Sequence, residues 1–455
     1  MMGKQKQIKL TEGPILKSLV ELALPIMASS FLGTVYNIMD MAWIGILGSK
    51  AVAAVGVGGM YIWLSQSLSS LAKMGAQVHV AQCIGQGRRE KASEYAKAAL
   101  KLTFVFAFLF AFLCVTCTDV LVGFFRLGDS STVEQAVWYM RIVCGLVLFS
   151  YLNVVITGIY TAQGNSKMPF LANLTGLIAN MILDPVLIFG VGIFPKLGVV
   201  GAAIATVTAQ AIATGVLVVD IYHGGDKENI LTGNYLFGHT EKIYYSGVFR
   251  IGGPTAVQSA MYCMISMVLA RMASAFGADA VAVQRVGGQI ESVSWNTADG
   301  FGAAMNAMAG QNYGAGKMER VRRGYHISFL TMAIWGSLIM LAFLIFPEEI
   351  SQIFFHEPGV IRISAEYLII IGFSEACMCI ELMTVGTLSG LGKTRLCSVI
   401  SITMTASRIP IAMGLCRTSL GLNGIWWAMT VTSVAKGIVF YMAFYRTARK
   451  IGQKI

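Results

Sequence analysis

Apolar residues fill most of this 455-residue chain in segments of about twenty or more, parted by short polar stretches rich in Gly, Lys and Arg. Segments of that length cross a bilayer as helices. Strands of a membrane barrel would alternate over about ten residues, and no such alternation is present. The pattern predicts about twelve helical spans: 15–47, 51–86, 93–118, 132–160, 167–194, 198–223, 243–276, 280–314, 320–346, 360–388, 394–416 and 421–446. Several are longer than the hydrocarbon layer, which implies tilt or protrusion. Pro25, Pro185, Pro254 and Pro410 fall inside spans and are expected to bend them.

The same pattern occurs twice. Residues Pro25 to Glu90 return as Pro254 to Glu319 at a constant offset of 229. Gly48-x-x-Ala51-Val52-Ala53 meets Gly277-x-x-Ala280-Val281-Ala282, Val57-Gly58-Gly59 meets Val286-Gly287-Gly288, and Gln82-x-x-Gly85-x-Gly87-x-x-Glu90 meets Gln311-x-x-Gly314-x-Gly316-x-x-Glu319. Later on, Gly164-Asn-Ser-Lys167 resembles Gly390-Leu-Gly-Lys393, and Leu197-Gly198-x-x-Gly201 matches Leu420-Gly421-x-x-Gly424. A repeat of half the chain is the plan of a secondary transporter rather than of a solenoid. The expected architecture is all-α: an N-terminal six-helix lobe (1–223), a polar cytoplasmic linker (224–242) and a C-terminal six-helix lobe (243–455). With an even number of spans per copy, the lobes should be related by a pseudo-twofold along the membrane normal.

Composition agrees with this reading. Hydrophobic residues make up 56% and charged residues 13%, against roughly 25% charged in soluble domains, and mean hydropathy is +0.67. The net charge of +11 is distributed asymmetrically. Lys4, Lys6, Lys9, Lys17, Arg88, Arg89, Lys91, Lys167, Lys227, Lys242 and Arg250 fall in one set of connections. That set continues with Lys317, Arg320, Arg322, Arg323, Lys393, Arg395, Arg446, Arg449 and Lys450. The alternate connections hold only Lys50, Arg126, Lys196, Arg362 and Arg417. This places both termini in the cytoplasm of a multi-pass inner-membrane protein and accounts for the basic charge without nucleic acid. The basic N-terminus leads into an apolar run too long for a signal peptide, so it reads as a retained first helix. The nine Cys lie mostly in spans and read as small packing residues.

Ionisable residues within spans are costly and mark function. Asp40, Asp184 and Thr206 lie at similar depth, roughly 10–20 Å from the Gly48 end at a rise of about 1.5 Å per residue. Tyr36 precedes Asp40 by one turn, and Asn180 precedes Asp184 by one turn, each on the same face. Two carboxylates, a carboxamide, a phenol and a hydroxyl make an oxygen-rich site for a proton or Na+; the competing reading is a polar bridge between helices. Asp40 aligns with Leu269 and Asp184 with Ile409, so the second copy folds without these acids. In the second half, Glu291 either lines a cavity or pairs with Arg285 or Arg408; Asp299, Glu375, Glu381 and Arg408 are further charges within spans. Lys73 and Lys436 are expected to snorkel to the cytoplasmic side. Gly390-Leu-Gly392-Lys393-Thr394 imitates the end of a phosphate loop, but Thr387 stands where its first glycine is needed, which excludes nucleotide binding. Cys377-Met-Cys379 lacks a partner pair for zinc, and no hydrolase motif occurs.

Leu24-Pro25, Asp40-x-x-x-x-Gly45-x-x-Gly48, Ala53-x-x-Gly56, Gly85-x-Gly87 and Gly310-Gln311-Asn312-Tyr313-Gly314-Ala315-Gly316 resemble the multidrug and toxic compound extrusion (MATE) family over nearly the whole chain. Asp40 with Asn180-x-x-x-Asp184 is similar to its DinF-type branch. The resemblance implies a non-enzymatic, monomeric antiporter that expels lipophilic or cationic small molecules in exchange for H+ or Na+, with membrane lipids as its other partners and no cofactor. By match, Asp40, Asn180, Asp184 and Thr206 would hold the cation, Tyr36 and Asn153 would line the adjoining cavity, and Pro25 would bend the first span; Glu291 and Asp299 are further cavity candidates from the second half. The NorM-type branch carries acids in spans seven and ten; here span seven has none before Asp279, and Glu375 and Glu381 do not fall at the matching position. Rival readings are a lipid or lipid-linked oligosaccharide flippase of the same superfamily, which needs a cationic cavity, a membrane lipid enzyme, which needs clustered catalytic residues, and a receptor, which needs no duplication.

Overall fold

The computed structural model describes residues 7–125, 127, 129–192, 195–223, 229–231 and 238–452, which form helices and connections with no strand among them. Most of the expected 224–242 linker, together with Lys4, Lys6, Arg126 and Lys227, lies outside the described residues. The first half contains α1 (Ile15–Ile46), α2 (Ser49–Gly85), α3 (Arg89–Thr116), α4 (Thr118–Gly123), α5 (Ser130–Gly145), α6 (Leu148–Ala162), α7 (Lys167–Phe189) and α8 (Val199–His223). The second contains α9 (Lys242–Ser274), α10 (Ala278–Gly314), α11 (Met318–Ile345), α12 (Pro347–Gln352), α13 (Pro358–Gly372), α14 (Glu375–Gly390), α15 (Thr394–Ala406), α16 (Arg408–Leu415) and α17 (Asn423–Gly452).

Among the described residues, nine helices are long and apolar enough to cross a membrane, and eleven spans result when each of two bent pairs counts as one. The twelfth expected span is α10. It is 37 residues long, but its polar content, including Asp279, Arg285, Glu291 and Asp299, sets it apart. A break at Ser407 parts α15 from α16 three residues before Pro410, and two further bends fall where none was expected. The pairs α5–α6 and α13–α14 turn by 40° and 51°, at Leu146-Val147 and Phe373-Ser374, where no proline stands. Short helices α4 and α12, absent from the sequence reading, start 229 residues apart, as the repeat does.

Glycine makes the repeated corners. Gly48 and Gly277 precede α2 and α10 with φ of 105° and 112°, and Gly87 and Gly316 follow those helices at φ 72° in each case. L-residues rarely occupy this region, so the motif glycines are backbone requirements.

By contacts the chain forms two compact units. One comprises Leu24–Ala256 with Gln7 and Ile8, the other Lys9–Ala23 with Val257–Ile455. The divisions fall inside α1 and α9, next to Pro25 and Pro254, and not at the polar stretch 224–242. Within the second unit, Asn312 Nδ2 and Arg320 Nε donate to the Leu10 carbonyl at 3.0 and 3.2 Å, tying the segment before α1 to α10 and α11.

Small residues dominate the cores, as expected where helices pack without a hydrophobic drive from water. In the first unit Ala72, Ala76, Val80, Ala96, Val155, Ile159 and Ala172 form one cluster. Gly201 sits against the Leu187 carbonyl with no room for a Cβ, which brings α7 and α8 together.

Candidate cation site and adjoining cavity

Three helices of the first unit carry the polar residues singled out in the sequence. Tyr36 and Asp40 lie on α1, Asn180 and Asp184 on α7, and Thr206 on α8. Asn180 and Asp184 are fully buried, and Asp40 and Thr206 are buried at 9% and 7% exposure. Asn180 Nδ2 donates to Asp184 Oδ1 at 3.1 Å, the i, i+4 contact that the helix pitch dictates. Asp184 lies within electrostatic range of Asp40. Tyr36 lies within range of both carboxylates and beside Thr206.

Three buried oxygens converge here without a hydrogen-bond partner, Asp40 Oδ1, Asn180 Oδ1 and Asp184 Oδ2, and the Tyr36 and Thr206 hydroxyls lie against each other beside them. Buried polar atoms are nearly always satisfied. A polar bridge between helices would satisfy both carboxylates, whereas Asp40 Oδ1 and Asp184 Oδ2 find no partner. Two carboxylates with three further oxygens and no nearby cation is the donor set of a hard monovalent cation or of an exchangeable proton.

The surroundings give the site two unlike sides. One turn toward Gly48 lies an apolar layer containing Ile44, Tyr139, Ile188, Ala202 and Ala203. Tyr139 also faces Asp40, Tyr36 and Asp184, and packs over Gly58, where a Cβ would come within 2.6 Å of its ring. Toward the opposite end lies a cavity of about 270 Å³, lined by Ser29, Tyr36, Ser150, Asn153, Asn173 and Gln210 among others. Asn153 Nδ2 donates to Asn173 Oδ1 at 3.1 Å. The structure therefore brings Tyr36 and Asn153 to one cavity and places Tyr36 in both cavity and carboxylate cluster. Tyr139, Asn173 and Gln210 were not identified from sequence; only the repeat could have flagged Tyr139, because Gly58 and Gly287 are equivalent and Gly287 packs under Tyr367 in the same way.

The second unit holds a different arrangement. Tyr367 donates a hydrogen bond to Glu291 Oε1, and Arg408 lies within electrostatic range of that carboxylate while donating to Thr432 and Ser433 at 3.0 and 2.8 Å. Glu375 is buried, beside Ser294 and within electrostatic range of Glu291. Asp299 is exposed on α10. Lys436 does not snorkel: it is buried and pairs with Glu381 at 2.9 Å, each side chain 7% exposed. With a carboxylate in reach, pairing inside the unit replaces extension to an interface. Pro25 lies within α1, two residues into the first unit.

The model of the MatE family matches residues 25–186 and 254–413. This chain belongs to the MatE family. The two matches begin 229 residues apart (254 − 25), the offset of the internal repeat. The chain is 28% identical over 445 residues to a probable multidrug resistance protein NorM of Thermotoga maritima, covering 94% of this chain and 92% of that one. It is 23% identical to an FAD transporter of Shewanella oneidensis over 97% of each. It is also 21% identical to the multidrug export protein MepA of Staphylococcus haemolyticus, over 95% and 93%. A crystal structure of MATE in the bent conformation superimposes with a TM-score of 0.91 over 99% of both chains at 21% identity. The outward-facing conformation of a multidrug resistance MATE transporter of the MOP superfamily does so with 0.90, again over 99% of both at 21%. The protein is thus an all-α, multi-pass membrane transporter of the MatE family and not an enzyme.

Proposed function

We propose that this protein is a secondary antiporter that expels lipophilic or cationic small molecules in exchange for H+ or Na+, with the coupling ion held by Asp40, Asn180, Asp184 and Thr206. The observation that carries this reading is the pair of buried carboxylates with unpartnered oxygens, set beside a cavity of amides, hydroxyls and apolar groups that shares Tyr36 with them. An acid in the apolar layer costs at least about 2.5–3.5 kcal/mol, and two at one depth cost more through repulsion unless a cation or proton enters between them. Ion capture by Asp40 and Asp184 removes the negative charge that a cationic substrate would seek through Tyr36, so the two ligands compete and transport is exchange. The names of the NorM and MepA relatives agree with multidrug export.

A flippase for anionic lipid-linked carriers is the alternative from the same superfamily. It fits less well because the cavity beside the site is lined by amides, hydroxyls and apolar groups with no Lys or Arg. The Lys and Arg distribution supports both termini in the cytoplasm and residence in the inner membrane. Export of a fluorescent lipophilic cation from vesicles, with proton and sodium gradients imposed separately, tests the reading. Export driven by one of the two gradients supports antiport. Export driven by neither, or only by ATP, overturns it.

A further inference from the structure

A second cavity, of about 450 Å³, opens between α11 and α17 at the Lys/Arg-rich end of the second unit. Three arginines converge on it from two helices: Arg322, Arg446 and Arg449. Among the described residues no carboxylate lines it and none of the three forms a salt bridge, whereas neighbouring Arg323 pairs with Glu319 at 3.1 Å. Arg322 is held in place, its Nη2 donating to the Ala448 carbonyl at 2.9 Å. Its neighbours His326 and Tyr445 lie with Tyr441 at the same level, the Tyr445 hydroxyl 3.3 Å from His326 Nδ1 and the Tyr441 and Tyr445 rings 4.7 Å apart. Aromatic residues with a polar tip favour the headgroup layer.

The cavity leads onto apolar surface. From His326 the α11 ridge continues as Leu330, Ile334 and Leu338, exposed at 61%, 54% and 55%. On α17, Ile438 and Met442 are exposed at 54% and 44% before Tyr445 and Arg449. Positive charge at the mouth and two apolar ridges below it match an amphiphile, not a free ion.

We propose that Arg322, Arg446 and Arg449 bind the phosphate of an anionic phospholipid in the leaflet at this end, with its acyl chains along the α11 and α17 ridges. Topology alone explains an excess of Lys and Arg, but not three arginines around one cavity with no salt bridge among the described residues. The assignment holds whichever compartment this end faces, and so stands apart from the antiport reading.

Native mass spectrometry of the full-length protein, exchanged into detergent with phosphatidylglycerol or phosphatidylcholine, tests it. Phosphatidylglycerol should be retained and phosphatidylcholine lost. A basic residue near the surface contributes about fivefold in affinity for anionic lipid. Arg446→Gln with Arg449→Gln, which leaves the Arg322–Ala448 bond intact, should weaken retention by roughly 25-fold, and Arg323→Gln should leave it unchanged. Equal retention of the two lipids by the wild type, or equal losses in Arg323→Gln, overturns the proposal. Displacement of the lipid by millimolar inorganic phosphate also overturns it, in favour of a free-anion site.

Discussion

Asp184→Asn separates an ion site from a structural bridge. The side chain is fully buried. Its Oδ1 accepts from Asn180 at 3.1 Å, and its Oδ2 has no partner. Asparagine is nearly isosteric, and its carbonyl can keep the Asn180 bond. The substitution therefore removes a charge and one cation ligand but little packing. Removing a charge from the apolar layer relieves up to about 2.5–3.5 kcal/mol, offset by the weaker bond from Asn180, since bonds to charged groups contribute about 1.5–3 kcal/mol against about 1 for neutral ones. The net change in stability without ion should lie between about 0.5 and 3 kcal/mol in favour of the variant. Loss of a charged ligand should weaken the coupling ion by about 1.5–3 kcal/mol, or roughly 10- to 150-fold. Thermal unfolding of the purified protein, with sodium titrated at fixed pH and then pH varied without sodium, reads both quantities. The wild type should gain stability with its ion as linkage requires, and Asp184→Asn should lose that gain while melting no lower in its absence. A variant destabilised by more than about 2 kcal/mol without ion, with the ion-dependent gain intact, would refute the reasoning and favour a structural bridge.

Tyr36→Phe removes a hydroxyl that lies against Thr206 and is shared by cavity and carboxylates; stability should change by about 1 kcal/mol or less, while the substrate concentration for half-maximal efflux rises. Lys436→Met leaves Glu381 buried without its partner at 2.9 Å and should cost about 3–5 kcal/mol, most of it regained in Lys436→Met with Glu381→Leu, as denaturation midpoints will report. Outside the membrane, the Lys50 ammonium, Thr132 and Ser131 hold the Asp129 carboxyl down at about 2. A depressed carboxyl contributes stability above its ordinary value near 4 and loses it as pH falls through about 2. The melting difference between wild type and Asp129→Asn should then be constant from pH 5 to 8 and efflux unaltered.

The spans and the duplication could be read from the chain because both rest on signals that one sequence carries: apolar length, and glycines at corners that need positive φ, such as Gly48 and Gly277. The grouping of Tyr36, Asp40, Asn180, Asp184 and Thr206 followed from depth and helix pitch. What the sequence did not give up depends on packing between segments. The bends at Leu146-Val147 and Phe373-Ser374 have no proline to announce them. Lys436 was assigned to the interface because periodicity cannot reveal that Glu381 faces it. Tyr139 reaches the carboxylates only because Gly58 leaves space beneath its ring. Asn173 and Gln210 carry no charge and sit in apolar spans like many structural amides; only the cavity distinguishes them.

The central claim is that the first unit alone carries ion coupling. Its most direct test is efflux of a fluorescent cation from proteoliposomes under a proton or a sodium gradient. Asp40→Asn with Asp184→Asn would be compared with Glu291→Gln and Glu375→Gln. The account predicts that the first pair abolishes gradient-driven efflux and leaves substrate exchange measurable, while the second pair retains coupling to the same ion as the wild type. Coupled efflux surviving in Asp40→Asn with Asp184→Asn, and lost in Glu291→Gln with Glu375→Gln, would contradict it.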